Sequence, residues 1–259
     1  QAILRSKKVK AIKKAMLAQQ PDLVIVSQGA VALSACGLAA ARSARLPLLS
    51  FLPMAHPAGL VRGKDSPIIR IQEFLYRRLY ALPDYFFTIC RSAKKQLEDL
   101  HGVDPTCIFV QYFGFDADKD HPLQLPKPRQ STEKRHIALI GRVEFQQKRH
   151  DFLLQELASH REELPPLVLH IIGEGPDMEE LQQLAHDLKL DDIIRFEGWS
   201  NDLPSWYRQL DAVLLPSRFE GVPVVMLEAM YWGVPVVASN LDGMAELLPQ
   251  EWLFPGGDG

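Results

Sequence analysis

Apolar and polar positions alternate along this chain in two rhythms, short apolar runs and longer stretches with helical spacing. Residues 5–18 place Val9, Ile12 and Met16 on one face of a helix and lysines on the others. Asp22 to Ser27 reads as a buried strand, residues 30–44 as an Ala-rich helix, and Leu46 to Leu52 as a second strand. A helix is expected over 68–81, a strand over Tyr85 to Cys90, a helix capped by Ser92 and running to His101, and a strand from Ile108 to Tyr112. Strand and helix in turn predict a parallel sheet with helices on both faces.

Residues 114–135, rich in Pro and charge and without periodicity, read as an interdomain linker. The rhythm then restarts. Strands are expected over His136 to Ile140, Leu167 to Ile172, Ile193 to Glu197 and Asp211 to Leu215. Helices are expected over Asp151 to His160, Asp177 to Leu188 and Leu203 to Gln209. Pro223 suits the first position of a further apolar helix, Gly233 ends it, and Val234 to Ala238 reads as a buried parallel strand. The fold class is therefore α/β, with two doubly wound, Rossmann-like domains over 1–113 and 136–259. Such domains bind ligands at strand ends, so the expected site is a cleft where those ends face each other.

Composition changes this picture little, and charge changes it more. The net charge of −3 hides 17 Lys and Arg against 10 Asp and Glu in residues 1–120, and 12 against 22 in residues 121–259. The first half is thus suited to an anionic partner. Cys36, Cys90 and Cys107 have no metal-ligand spacing and read as small buried residues of a reducing compartment. No histidine pair has metal-binding spacing and no apolar run reaches transmembrane length, so neither a metal nor a membrane span is expected. Nothing in the motifs points to nucleic acid.

The candidate chemistry lies in the second half. Glu220 sits in a turn rich in Gly and Pro, and Glu228 lies eight residues on, inside the apolar helix. A helix opening beside a strand end offers free N–H groups to a phosphate. Carboxylates there would repel phosphate but accept bonds from hydroxyls, which points to a phosphorylated ligand that also carries sugars. An exposed Glu228 is the simpler alternative, but its neighbours are nearly all apolar and a buried carboxylate needs a partner. Gly141 and Arg142 end the first strand of the second domain, with Lys148 six residues on. Taken alone they make a turn with solvated cations, yet beside the acidic turn they suit a phosphate. Gly173-Glu174-Gly175-Pro176 is half of a dinucleotide fingerprint and reads equally as a plain turn lining the cleft.

The stretch PSRFEGVPVVMLEAMYWGVPVVAS (216–239) resembles the E-x7-E signature of the retaining GT-B glycosyltransferases, family 4 in particular. GRVEFQQK, the Gly-Glu-Gly-Pro turn and FEGWSND follow the family's order across 136–246, whereas residues 1–120 resemble it only in general pattern. The resemblance implies a metal-independent, retaining hexosyltransferase that uses a UDP-, GDP- or ADP-linked sugar and no cofactor. Arg142 and Lys148, beside Gly141, would hold the diphosphate; Glu228 would bind the ribose, and Glu220 would contact the transferred sugar with amides near Gly221 and Val222. Gly198 and Trp199 would lie near the base, and Glu174 would line the donor site. Three positions depart from the family's pattern: Pro223 and Arg149 stand where Gly is common, and Asp242-Gly243 where a Gly pair is frequent.

His56, on a loop after a strand of the first domain, is the acceptor-side candidate for contact with the reacting sugar, set against a plain solvated loop histidine. Arg62 and Lys64 suit solvent better than an anionic acceptor. Residues 5–14 carry six positive charges and no negative one, which suits weak attraction to an anionic membrane surface or a lipid-linked acceptor. The resemblance also implies a glycan, glycolipid or lipopolysaccharide- or capsule-type acceptor, and a cytoplasmic enzyme peripheral at the inner membrane face. It implies further chain before residue 1 and after residue 259, both domains being incomplete here. The competing reading is a nucleotide-sugar-binding protein without transfer activity, and an NAD-dependent dehydrogenase is weaker because the fingerprint lacks its third glycine.

Overall fold

Parallel strands joined by right-handed crossovers place their connecting helices according to the direction in which the sheet grows, and the two halves of this chain grow differently. The computed structural model describes residues 6–29, 34–57, 60, 67–114 and 134–255. Arg5, Arg62, Lys64, the start of the helix expected from residue 30 and nearly all of the expected linker lie outside these. The chain divides into two units, Gln1–Phe113 and Gly114–Gly259.

In the first unit, strands β1 (Val24–Ser27), β2 (Leu48–Phe51), β3 (Tyr85–Thr88) and β4 (Ile108–Val110) lie in chain order in one parallel sheet. Helices α1 (Lys7–Ala18), α2 (Ala35–Ala44), α3 (Pro67–Tyr80) and α4 (Arg91–His101) alternate with them. Growth in a single direction sends successive crossovers to the same face. There Val24, Val26, Leu48, Phe86 and Ile108 pack with Leu38, Ala41, Leu79, Tyr80 and Leu97 in one core. The expectation of helices on both faces is corrected for the described part of this unit. The reading of β1 as fully buried is corrected too: burial alternates along it and Ile25 is 60% exposed, with Tyr85 and Phe109 exposed on neighbouring strands. Ser92 is not the cap of α4. Cys90 takes that position in extended backbone, and Ser92 turns its hydroxyl to the Cys90 sulfur inside the first turn. Cys90 is buried, while Cys36 and Cys107 are half-buried.

The second unit contains strands β5 (Arg135–Ile140), β6 (Leu167–Ile172), β7 (Ile194–Gly198), β8 (Ala212–Leu215), β9 (Val236–Ser239) and β10 (Leu253–Phe254). Their order, β10-β9-β8-β5-β6-β7, reverses between β5 and β8, so this sheet is doubly wound. The helices are α5 (Phe145–Lys148), α6 (His150–Ser159), α7 (Met178–Asp187), α8 (Leu203–Tyr207), α9 (Val224–Tyr231) and α10 (Asp242–Leu247). Every residue of β6 is buried, as a strand covered on both faces requires. Pro223 is the cap of α9 and not its first residue, because its ψ of 126° is extended. Gly233, at φ 69°, closes the helix: the Val234 N–H reaches back to the Ala229 carbonyl at 2.8 Å.

Candidate functional site

The reversal of the second sheet brings the ends of β5 and β8 side by side, and the candidate residues follow these two ends. Gly141 leaves β5 at φ 141°, a conformation that favours glycine. Its N–H donates to the Ile172 carbonyl at 2.9 Å, and the Lys148 side chain passes over the place a Cβ would occupy. The next turn is tightly built. A Cβ on Gly173 would stand 2.0 Å from the Gly141 carbonyl oxygen, so the β5 and β6 ends close on each other only with glycine there.

The turn after β8 is tied to α5 by three bonds. Arg218 N–H donates to the Gln147 carbonyl at 2.8 Å, and the Gln147 side-chain amide donates to the Phe219 carbonyl at 3.3 Å. Lys148 Nζ donates to Glu220 Oε1 at 2.6 Å, with the side chains 17% and 8% exposed. A pair this enclosed makes a strong charge-assisted bond. Lys148 and Glu220, expected at the two ends of a sugar–diphosphate, thus touch one another. Arg142 does not join them: its side chain is 67% exposed and its nearest carboxylate, Glu144, is 3.8 Å away.

Gly221 and Val222 are buried and lead into α9, whose first amides have no acceptor within the helix. Glu220 N–H donates to Asp242 Oδ2 at 2.9 Å, and Gly243 N–H to the Gly221 carbonyl at 3.0 Å. The loop after β9 therefore clamps the acidic turn. This explains the glycine pattern at two departures. Asp242 and Arg149 both adopt the left-handed conformation, with φ of 50° and 55°. Asp242 gains the Glu220 bond there, and Arg149 lays its guanidinium 4.9 Å above the Phe152 ring.

Glu228, half-buried on α9, accepts a bond from the Tyr207 hydroxyl at 2.8 Å. Burial, then the Glu228 charge and the bond itself, push the Tyr207 phenol far above its ordinary pKa. His150 opens α6 fully buried, with neither ring nitrogen hydrogen-bonded. Burial, assisted by the Lys148 charge, lowers its pKa to about 4.

The remaining candidates lie apart from the ion pair. Gly198 closes β7 at φ 68° and its carbonyl accepts from Gly173 N–H at 2.8 Å. Gly198 and Glu174 line one cavity of about 570 Å³ with Phe196 and Gln182. Trp199 projects outward and donates to Asn201. In the first unit, His56 Nδ1 meets the Gln96 amide at 3.3 Å. On α1, Lys13 is engaged with the Ser43 carbonyl, leaving Lys7, Lys8, Lys10 and Lys14 on the exposed face. Among the described residues no cluster of three or more His, Cys, Asp or Glu has the arrangement of a metal site, and no helix is long and apolar enough to cross a membrane. Tyr207, Gln147 and His150 were not foreseeable as site residues, since each acts through a partner distant in sequence or through burial.

A parallel sheet whose strand order reverses leaves a crevice at the reversal, where α/β folds bind ligands. Residues 134–258 match the family model for glycosyl transferases group 1, and residues 3–119 that for glycosyltransferase family 4. The chain belongs to the group 1 glycosyltransferases, and its two parallel-sheet units are those of the GT-B fold. A lipopolysaccharide 1,6-galactosyltransferase of Escherichia coli K12 is 26% identical over 201 residues, 75% of this chain and 48% of that protein. A GDP-mannose-dependent phosphatidylinositol monomannoside mannosyltransferase of Mycobacterium tuberculosis is 32% identical over 110 residues, 40% of this chain and 28% of that protein. Among solved structures, Anabaena HepE in complex with UDP and glucose superposes with a TM-score of 0.74 at 20% identity, covering 96% of this chain and 67% of that one. The chain spans about half the length of the E. coli relative or less for the mycobacterial one.

Proposed function

We propose that this protein is a metal-independent, retaining glycosyltransferase that moves a sugar from a nucleotide-diphosphate donor to an acceptor hydroxyl. The observation that carries the reading is the enclosed Lys148–Glu220 pair at the reversal of the second sheet. A cation there serves the leaving diphosphate, and a carboxylate beside it serves sugar hydroxyls. Arg142, already in solvent reach, adds a second cation without first giving up a strong partner. Glu228 binds the ribose, Gly221 and Val222 amides assist at the sugar and phosphate, and Gly198, Trp199 and Glu174 border the base. In this reading residues 136–259 bind the donor, residues 1–113 carry the acceptor side with His56, and 114–135 join them.

The bond between the anomeric carbon and the phosphate oxygen breaks while the acceptor oxygen attacks from the same face, its proton passing to the departing diphosphate. The protein's part is to hold the reactants in place and stabilise charge on the departing diphosphate. The two curated relatives, named for lipopolysaccharide and phosphatidylinositol mannoside, support a glycan or lipid-linked acceptor. The UDP in the Anabaena structure and the GDP-mannose of the mycobacterial relative support a UDP- or GDP-linked donor, with ADP-linked sugars kept in the screen. The exposed lysines of α1 suit weak attraction to an anionic membrane surface at the inner face, each contributing about 1 kcal/mol there.

Incubating the protein with UDP-, GDP- and ADP-sugars and candidate acceptors tests the reading. Nucleotide release on acceptor addition is expected, and binding without release would favour a sensor of nucleotide sugars. Arg142→Ala and Lys148→Ala are each expected to lower turnover about a hundredfold with little change in acceptor affinity. Unchanged turnover in both would refute their role.

A further inference from the structure

We infer that Tyr207 is a positioning residue that orients the Glu228 carboxylate toward the nucleotide ribose, an inference that rests on the role of Glu228 proposed above. A glutamate on a helix has a mobile side chain with two equivalent oxygens. Here they are made unequal. The Tyr207 hydroxyl donates to Oε2 at 2.8 Å, which commits that oxygen and leaves Oε1 as the acceptor for a hydroxyl of the ligand. The phenol is 1% exposed, and its raised pKa keeps the proton on the hydroxyl throughout the working pH range.

The surroundings fix the donor as well as the acceptor. Tyr207 is the last residue of α8, whose first turn is held by Asp202 accepting from Ser205 N–H and by Pro204 at its start. Arg208, next in sequence, lies 4.9 Å over the ring of Trp232. Glu228 on α9 and Trp232, the C-cap of that helix, are four residues apart and so lie on one side of it. The last residue of α8 and its C-cap therefore grip Glu228 on α9 and the C-cap of α9, one by a hydrogen bond and one by a cation over a ring. Loss of the hydroxyl alone leaves the ring packing and the second grip in place, so Tyr207→Phe isolates the orienting bond.

The test is nucleotide binding by calorimetry with the full chain, using UDP, GDP and ADP, then the 2′-deoxy and 3′-deoxy forms of the tightest. Tyr207→Phe is expected to weaken the ribonucleotide about tenfold, as for loss of a bond to a charged group. It should weaken the deoxy form that lacks the contacted hydroxyl less than threefold, and raise donor KM with kcat within twofold. Equal losses for ribose and deoxyribose forms would mean loosened packing and would overturn the inference. Glu228→Ala separates the two levels. If it leaves affinity unchanged, or if the wild type binds none of the three nucleotides, the ribose role of Glu228 falls and the inference with it. If it weakens binding while Tyr207→Phe does not, only the inference falls. A readout on the wild type covers a variant that fails to fold. With ring-labelled tyrosine, the Tyr207 resonance should shift on adding the nucleotide and stay fixed with inorganic pyrophosphate; no shift with either would overturn the inference.

Discussion

Lys148 and Glu220 form an enclosed pair of opposite charges. Each neutralises the other in a place that water barely reaches. Lys148→Met leaves the Glu220 carboxylate enclosed without its counter-charge and is expected to cost about 3 kcal/mol of stability. Lys148→Met combined with Glu220→Gln should cost less than Lys148→Met alone, and urea titrations of the three variants measure the coupling. His150 gives a second prediction. Its pKa in the folded state is about 4, against 6.5 in the unfolded chain. Between those values the unfolded chain binds the extra proton, so this contribution to stability is fully present above pH 6.5 and is lost as pH falls toward 4. The loss between pH 7 and 5 is expected to be about 2 kcal/mol. His150→Phe, which cannot titrate, should flatten that part of the profile. An identical slope in the variant would show that the histidine is not responsible.

At the scale of elements, the second sheet was the most legible part of the sequence, and the reason is physical. Strands such as Leu167–Ile172 are covered on both faces, so they are apolar throughout and stand out. Ile25 misled because its strand is equally apolar but buried on one face only, and apolar content alone does not count faces. The single turn Phe145–Lys148, which presents Lys148, is too short for a periodic signal. The candidate site was legible through Gly141, Glu220 and Glu228, whose types and spacing suggest chemistry. The bonds that orient them were not, because Gln147 and Tyr207 meet partners 72 and 21 residues away. Glycines give a prediction at this scale. A Cβ on Gly173 would meet backbone oxygen at 2.0 Å, while one on Gly37, inside α2, would meet only Val26 methyls at 3.7 Å and 3.8 Å. Gly173→Ala is expected to destabilise by about 3 kcal/mol or more, from the clash and the positive φ together. Gly37→Ala should stabilise by roughly 0.5–1 kcal/mol through helix propensity. Thermal melts of the two variants should move in opposite directions.

At the scale of the whole molecule, the two units differ in how their sheets are covered. The first exposes Ile25, Tyr85 and Phe109 on the sheet face opposite its core, with Tyr85 and Phe109 rings 5.8 Å apart. Contiguous apolar surface of this kind binds hydrophobic dyes and promotes association. Ile25→Thr with Phe109→Thr is expected to reduce dye binding by the 259-residue chain several-fold without lowering its melting temperature; a lower melting temperature would mean that this face is covered. The strand orders of the two sheets also set an order in time. In the first unit every strand pairs with its neighbour in sequence, so its sheet assembles through short loop closures. In the second, β5 must wait for β8, since His136 finds Asp211 75 positions further along the chain, and such distant closures are slow. Gly141 and Lys148 depend on one of those strands and Glu220 on the other. The candidate site is thus expected among the last features to form as the chain folds, and pulse-labelled hydrogen exchange should find the β5–β8 amides protected after those of β5–β6.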